Sequence, residues 1–382
     1  MKEFNLKKFS TIISVLIIIA LLYIFITPAF KSSTKLYSRE GFYFDTIISI
    51  NIYTSLKNDD AERILDECMN KCRYYESIFS RTLPDSDIGR INSLSPSSTA
   101  TDTSTATDTS SAAAALEKAA LEEAALEEAA SEEAASSKTR IKVSDDTLKL
   151  IDYAVSIAEL SDGLVDPTVG ALSDLWDFDR NDFELPTSDE IEEALASVGY
   201  ENIEIDELNK EISLKSSETK LDLGFIAKGY IADAIKEYLI SQNIDSAVIN
   251  LGGNVLTIGE KETDTPFKIG IKNPSDPSGA PIMTIDSVDN SIVSSGNYER
   301  CITINGTKYH HILSTETGYP VTNNLSQVTI ISKKSIDGDM LSTLCYILGY
   351  ENALEFLDKN YPDVKAVFVF EDGSISEFPI LK

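Results

Sequence analysis

The chain has 382 residues, 42% of them hydrophobic and 25% charged, with a formal net charge of −29 at pH 7. That length suits one large domain or two ordinary ones, and the apolar share can fill a sizeable core. The acidity, with no basic stripe interleaved with aromatics, argues against nucleic acid as a partner and repels anionic partners unless a cation intervenes.

In chain order, Thr11 to Ile26 comes first, an uninterrupted apolar run preceded by Lys2, Lys7 and Lys8. Counted from Phe9 to Phe30 it is long enough to span a bilayer. No small-residue cleavage site follows, so the expectation is an uncleaved signal anchor over residues 10–29. Residues 1–9 would then lie in the cytoplasm and the rest outside. Phe42–Thr54 alternates as a strand does, and Asp60–Phe79 has helical spacing. Cys68 and Cys72 lie one helical turn apart, with Cys301 and Cys345 far off. Buried structural thiols fit that pattern better than a disulfide or a zinc cluster. Ser95–Ser137 is rich in Ser, Thr and Ala and carries an AALEKAALEEAALEEAASEEAA repeat. It reads as a low-complexity insert over 95–138, a solvated helix or disordered, with no chemistry assigned. It divides one folded domain into residues 30–94 and 139–382. Further helices are expected at Ser144–Ser161, Ser188–Ser197, Ala227–Gln242, Ile336–Leu348 and Glu351–Asn360. Strands are expected at Ala247–Leu251, Phe267–Ile271, Ser291–Ser295, Arg300–Ile304, Gln327–Ser332 and Val364–Phe370. Without a regular βαβ beat, the class is α+β.

Several blocks could carry chemistry. In KLDLGFIAKGYIAD a strand ending at Asp222 runs through Gly224 into a helix with Lys228 in its opening turn. Such a turn can present free N–H groups and a lysine to a phosphate, or be an ordinary strand–turn–helix. It matches neither the GxxxxGK[ST] nor the GxGxxG loop. The paired glycines of VINLGGNVLTIG mark a tight turn or a close backbone approach. DGLVDPTVGALSDLWDF reads as an Asp-Pro turn at Asp166 and a core Trp176. Asp339 and Thr343, at i and i+4 in DGDMLSTL, share one helix face. They can hold a hard cation such as Mg²⁺, unless Asp339 simply satisfies backbone N–H groups at the helix start. KYHHILSTETGYP contains the only two histidines, His310 and His311.

The order of these blocks is more specific than any one of them. Phe-Asp-Thr, Asp-Gly-x-x-Asp-Pro-Thr-x-Gly, Leu-Asp-x-Gly-x-x-Ala-Lys-Gly-Tyr, Asn-Leu-Gly-Gly-Asn, Ser-Gly-x-Tyr, His-His-Ile and Asp-x-x-Ser-Thr follow one another from about Ser38 to the carboxyl terminus, outside the insert. The series resembles the ApbE family of FAD:protein FMN transferases. The resemblance implies a T-fold-like α+β domain that binds FAD with Mg²⁺. Its metal ligands would be the Asp339 and Thr343 side chains and the carbonyl of Phe225, where the family usually has a small residue. Contacts to FAD would come from Phe44, Thr82, Leu164, Val165, Asp166, Asp222, Lys228 and Leu313, with Thr82 standing where an aromatic is usual. His311 matches the family histidine and would accept a proton, while His310 reads as incidental. Ser314-Thr315-Glu316 replaces the usual Asp-Pro-Arg. The implied reaction passes the FMN group of FAD to a threonine hydroxyl of an acceptor flavoprotein, with AMP leaving. The acceptor would be an extracytoplasmic electron-transfer flavoprotein or a membrane respiratory subunit, and the enzyme a single-pass cell-membrane protein facing outward. The alternatives are an FAD pyrophosphatase giving FMN and AMP, and a flavin-binding surface protein without turnover.

Overall fold

A computed structural model describes residues 34–93, 139–178, 180, 183–261 and 264–379. The expected anchor at 10–29 and the insert at 95–138 lie outside these residues. Among the described residues, no helix is long and apolar enough to cross a membrane.

Fifteen strands are described: β1 (Lys35–Tyr43), β2 (Thr46–Thr54), β3 (Ile141–Lys142), β4 (Ile203–Asp206), β5 (Glu211–Leu214), β6 (Ala247–Leu251), β7 (Asn254–Ile258), β8 (Phe267–Ile271), β9 (Met283–Ser287), β10 (Ser291–Gly296), β11 (Cys301–Ile304), β12 (Thr307–His310), β13 (Leu325–Ser332), β14 (Lys365–Phe370) and β15 (Ile375–Phe378). The helices are α1 (Asn58–Phe79), α2 (Asp87–Asn92), α3 (Asp145–Leu160), α4 (Gly170–Trp176), α5 (Ser188–Leu195), α6 (Ala227–Ser241) and α7 (Ser335–Asn360). Eight strands form the main sheet in the order β1-β2-β6-β7-β10-β13-β14-β15, and its pairings are antiparallel. Helices α1, α6 and α7 pack on it. Ile48, Ile50 and Ile52 of β2 meet Ile231, Ile235 and Leu239 of α6 and Met340, Leu341 and Leu344 of α7 in one core. A second apolar cluster joins Ile292, Ile331 and Val367 of the sheet to Ile271 of β8 and its partner strand β9. β13 is therefore buried along almost its whole length, and its buried polar residues pair with one another, Gln327 Nε2 donating to Thr329 Oγ1 at 3.1 Å. An antiparallel sheet with helices packed on it is the expected α+β architecture.

Three differences from the sequence reading have physical causes. Phe42–Thr54 is not one strand but the end of β1, a turn at Phe44 (φ 53°) and Asp45 (φ 56°), and the whole of β2. Two consecutive left-handed residues make the turn type that matches strand twist, and the period-2 alternation on both sides conceals it. The expected strand ending at Asp222 is a single bridge between Val169 and Lys220. Cys301 is only half-buried, whereas Cys68, Cys72 and Cys345 are buried; all four are free. Burial pushes Cys68 and Cys72 up to about 12, so neither is a thiolate at neutral pH. The short strands β7, β9, β12 and β15 and the small β3-β5-β4 sheet also escaped the pattern.

The two expected carboxyl-terminal helices are both present. α7 breaks at Gly349 (φ 72°, ψ 171°), a conformation glycine adopts without steric cost. The chain segments flanking the insert are stitched together. Asp87 accepts from Ser144 N–H at 2.8 Å and from the Thr147 hydroxyl at 2.7 Å. Arg90 donates to the Lys142 carbonyl at 2.8 Å.

Candidate active site

The site is built at the crossing of α6 and α7. A Cβ on Gly229 would fall 2.4 Å from the Ser335 carbonyl oxygen and 2.5 Å from Ile336 Cα, so only glycine permits this approach. One turn on, Asp233 accepts from the N–H groups of Ser335 (2.9 Å) and Ile336 (3.0 Å). It thereby caps α7, whose own N-cap residue Lys334 contributes no side-chain bond. The lysine-glycine block is thus a helix-docking device as well as a candidate anion site.

That docking positions Asp339. Its Oδ2 accepts from Gly229 N–H at 2.9 Å, and its Oδ1 lies 4.0 Å from Lys228 Nζ. Asp339 is in the second turn of α7, so it satisfies a neighbouring helix rather than its own amino terminus. It is 5% exposed. Burial raises its pKa, while Lys228, the Gly229 N–H and Asn254 pull it down. Thr343, one turn further on, is half-buried, with Oγ1 3.1 Å from Ser295 Oγ. Lys228 also donates to the Gly224 carbonyl at 3.2 Å. Asp222 accepts from Gly224 N–H at 2.8 Å, closing the turn that contains Phe225, and its other oxygen is 3.3 Å from Arg81 Nε.

Among the described residues, no group of three or more His, Cys, Asp or Glu could hold a metal ion. A cation here would draw on one carboxylate, the Thr343 hydroxyl and the Phe225 carbonyl, leaving most positions to water and phosphate oxygens. That donor set suits Mg²⁺ better than zinc or a protein-caged calcium. The nearly buried Asp339 carboxylate, with one backbone donor and one ammonium at 4.0 Å, has charge to spare for it. The residues fit.

The two histidines part at the end of β12. His310 is 4% exposed. Its Nε2 donates to the Val321 carbonyl at 2.9 Å, its Nδ1 accepts from Ile312 N–H at 3.3 Å, and its ring meets Tyr346 edge-on at 5.7 Å. Burial pushes its pKa down to about 4. It is a neutral strut, so the reading of it as incidental is corrected. His311 faces the other way with an exposed side chain, its backbone N–H donating to the Arg300 carbonyl at 3.1 Å. Desolvation by the surrounding protein, then His310, Arg300 and Lys228, push its pKa down to about 4. Water reaching the ring relieves part of that desolvation without reversing it, so His311 is neutral at pH 7.

Ser314 takes over the turn. Its hydroxyl accepts from the N–H groups of Glu316 and Thr317, both at 3.2 Å, as an aspartate side chain can. The Thr315 hydroxyl donates to the Gly163 carbonyl at 2.7 Å, tying the histidine block to the segment holding Leu164, Val165 and Asp166. Leu313 anchors the same junction in a small core with Leu172, Trp176 and Ile191, and Trp176 donates to the Gly318 carbonyl at 2.8 Å. The Asp166 carboxylate is committed to the fold. Oδ1 accepts from Thr168 N–H (2.8 Å) and hydroxyl (2.6 Å), and Oδ2 from Tyr200 N–H (2.8 Å). Burial raises its pKa against those bonds. Phe44 stands in the hairpin turn with its N–H on Glu76 at 2.7 Å. Thr82 is exposed, its hydroxyl 3.0 Å from that of Ser80. Arg81, beside it, links Asp222 to Asp174, and Lys220 reaches Asp174 at 2.8 Å. The sequence reading did not single out Arg81, Ser295 or Asn254. Asn254 and Ser295 had a signal, as the last residue of the Asn-Leu-Gly-Gly-Asn block and the first of the Ser-Gly-x-Tyr block.

Fold and site together define an α+β domain that offers a glycine turn, a lysine and one buried carboxylate to a polyanionic ligand. The chain belongs to the ApbE family, whose model matches residues 44–368. It is 36% identical over 235 residues to the FAD:protein FMN transferase of Klebsiella pneumoniae (strain 342), covering 62% of this chain and 72% of that protein. It is 33% identical over 239 residues to the FAD:protein FMN transferase of Treponema pallidum (strain Nichols), covering 59% and 66%. Among solved structures, the ApbE protein of Thermotoga maritima superposes with a TM-score of 0.71 at 28% identity, covering 90% of this chain and 96% of that one. The flavin transferase ApbE from Vibrio cholerae gives 0.70 at 23% identity over 90% and 96%, a likeness of fold.

Proposed function

We propose that this enzyme transfers the FMN portion of FAD to a threonine hydroxyl of an acceptor flavoprotein, releasing AMP. Asp339, Thr343 and the Phe225 carbonyl would hold Mg²⁺. The observation that supports this most is the α6–α7 crossing, which sets Lys228 4.0 Å from the buried Asp339 beside the amino-terminal N–H groups of α6. Bound there, Mg²⁺ supplies charge neutralisation for the pyrophosphate and for the departing AMP. Lys228 adds a point charge to the same phosphates, and the α6 amino terminus adds N–H donors and a favourable dipole. As the threonine oxygen bonds to the FMN phosphorus, the bond from that phosphorus to the AMP oxygen breaks. The threonine proton passes to His311, which is neutral and solvent-reachable. His310, fixed to Val321, holds the end of β12 from which His311 projects. The apolar run at 10–29 supports a place on the outer face of the cell membrane, where the acceptor would be met.

The exposed His311 ring also admits water, which favours a second reading in which water takes the FMN group and the products are FMN and AMP. Purified protein given FAD and Mg²⁺, with and without a threonine-bearing acceptor flavoprotein, separates the two. Transfer predicts AMP and covalent flavin only with acceptor, whereas hydrolysis predicts AMP without it. No AMP under either condition would refute both.

A further inference from the structure

Asn254 opens β7 after the paired-glycine turn and is 1% exposed. A relay of buried hydroxyls fixes its amide. Ser291 Oγ donates to Ser335 Oγ at 3.0 Å, and Ser335 Oγ donates to Asn254 Oδ1 at 2.7 Å. The relay aims Oδ1 at the first residue of α7. Nδ2 is buried and has no group in hydrogen-bonding geometry. Ser335, which the amide grips, and Asp339 stand at i and i+4 on α7, so the carboxylate lies one turn along the helix face that Asn254 meets. A buried amide N–H without a partner costs about 1–3 kcal/mol, and an orphan of this kind calls for an explanation. Here the neighbouring group supplies one. A carboxylate that ligates a cation keeps its orientation only if fixed donors occupy its remaining lone pairs. Asp339 has one such donor in Gly229 N–H, from the α6 side. Asn254 offers the second from the sheet.

We infer that Asn254 is a positioning residue that orients the Asp339 carboxylate toward its cation, with Ser291 and Ser335 holding the amide in place. The inference rests on the reading of Asp339 as a metal ligand. It assigns the second asparagine of Asn-Leu-Gly-Gly-Asn a role distinct from the turn made by its two glycines. The same relay ties the β10 strand and the start of α7 to the site, so the cation would feel the docking of both.

The test uses Mn²⁺ as the probe on the purified full chain without FAD. Free Mn²⁺ is followed by electron paramagnetic resonance, and metal-free thermal melting is recorded in parallel. Asn254→Ala should raise the Mn²⁺ dissociation constant roughly 10- to 100-fold, and Ser335→Ala should raise it by a smaller factor. The metal-free melting temperature of Asn254→Ala should fall, because the variant removes the Oδ1 that accepts from the buried Ser335 hydroxyl together with the unpartnered Nδ2. A merely structural asparagine would lower the metal-free melting temperature in the same way but leave Mn²⁺ affinity intact. Should Asn254→Ala fail to fold, Ser335→Ala reads the same link. Asp339→Ala is the control. If it binds Mn²⁺ as wild type does, the metal reading falls and this inference with it. If it loses Mn²⁺ while the Asn254 and Ser335 variants bind normally, this inference alone is overturned.

Discussion

Asp339→Asn isolates the charge of the buried carboxylate from its shape. The amide oxygen can keep the 2.9 Å bond to Gly229 N–H, so the α6–α7 crossing should survive with a loss of at most about 1 kcal/mol. What disappears is the negative charge that burial opposes and that Lys228, at 4.0 Å, offsets only in part. The raised pKa sets the sign. Between the carboxyl's unfolded pKa and its higher folded value, the native state binds more protons, so wild-type stability falls as pH rises through that window. Metal-free Asp339→Asn should lack this fall and match or exceed wild type at pH 7. Added Mg²⁺ should reverse the ranking. A cation at 100 times its dissociation constant stabilises wild type by about 2.7 kcal/mol, or roughly 5 to 10 °C in melting temperature for a domain of this class. The variant should show almost none of that gain. Loss of several kcal/mol of charge stabilisation should also lower transfer by at least about 10²-fold. Calorimetric melts with and without Mg²⁺ read the first effect, and AMP release from FAD reads the second. An equal Mg²⁺-dependent shift in both proteins would refute the argument, because the charge would then not be what the cation meets.

The two histidines should separate cleanly. His311→Asn should leave melting unchanged while covalent flavin transfer, followed by in-gel fluorescence, drops roughly 10² to 10⁴-fold. His310→Asn should instead cost about 1–3 kcal/mol of stability. It should also flatten the pH dependence. With its folded pKa at about 4 against an ordinary 6.5, His310 leaves stability intact above pH 6.5. It lets up to roughly 3 kcal/mol drain away as pH falls toward 4, measurable as the urea midpoint at pH 7 and pH 5. Gly229→Ala should part α6 from α7, since its Cβ would meet Ser335 O at 2.4 Å. A loss of about 1–3 kcal/mol together with weakened metal binding is expected in paired melts and Mn²⁺ titrations. Deleting residues 95–137 should leave melting and FAD binding as in wild type, because Asp87 and Arg90 already stitch the flanks to Ser144 and Lys142. A folded deletion that loses FAD would show the insert to be part of the site.

The sequence alone determined the elements whose signal is local. Period-3.6 apolar spacing marked α1, α3 and α6, and the helix expected from Ser144 does begin there, with the Ser144 hydroxyl accepting from Thr147 N–H. β6 and β8 were legible to the residue, β6 as a short, mostly apolar run and β8 by the alternation of Phe267, Ile269 and Ile271 with Lys268 and Gly270. The i, i+4 pair Asp339 and Thr343 was equally legible, since helical geometry puts such a pair on one face whatever surrounds it. Tertiary structure decided the rest, because it depends on contacts between residues far apart in the chain. No local pattern says that Gly229 is there to let Ser335 approach, or that Asp233 caps a helix a hundred residues away. Nor could adjacency show which histidine is the strut. His310 and His311 share a neighbourhood in sequence, and only the turn of the strand, with Val321 and Tyr346 waiting on one side, buries the first and leaves the second open. Asn254 is the plainest case. Its block was visible as a turn, but its unpartnered amide has meaning only once folding has laid β7 against α7 and set Asp339 beside it.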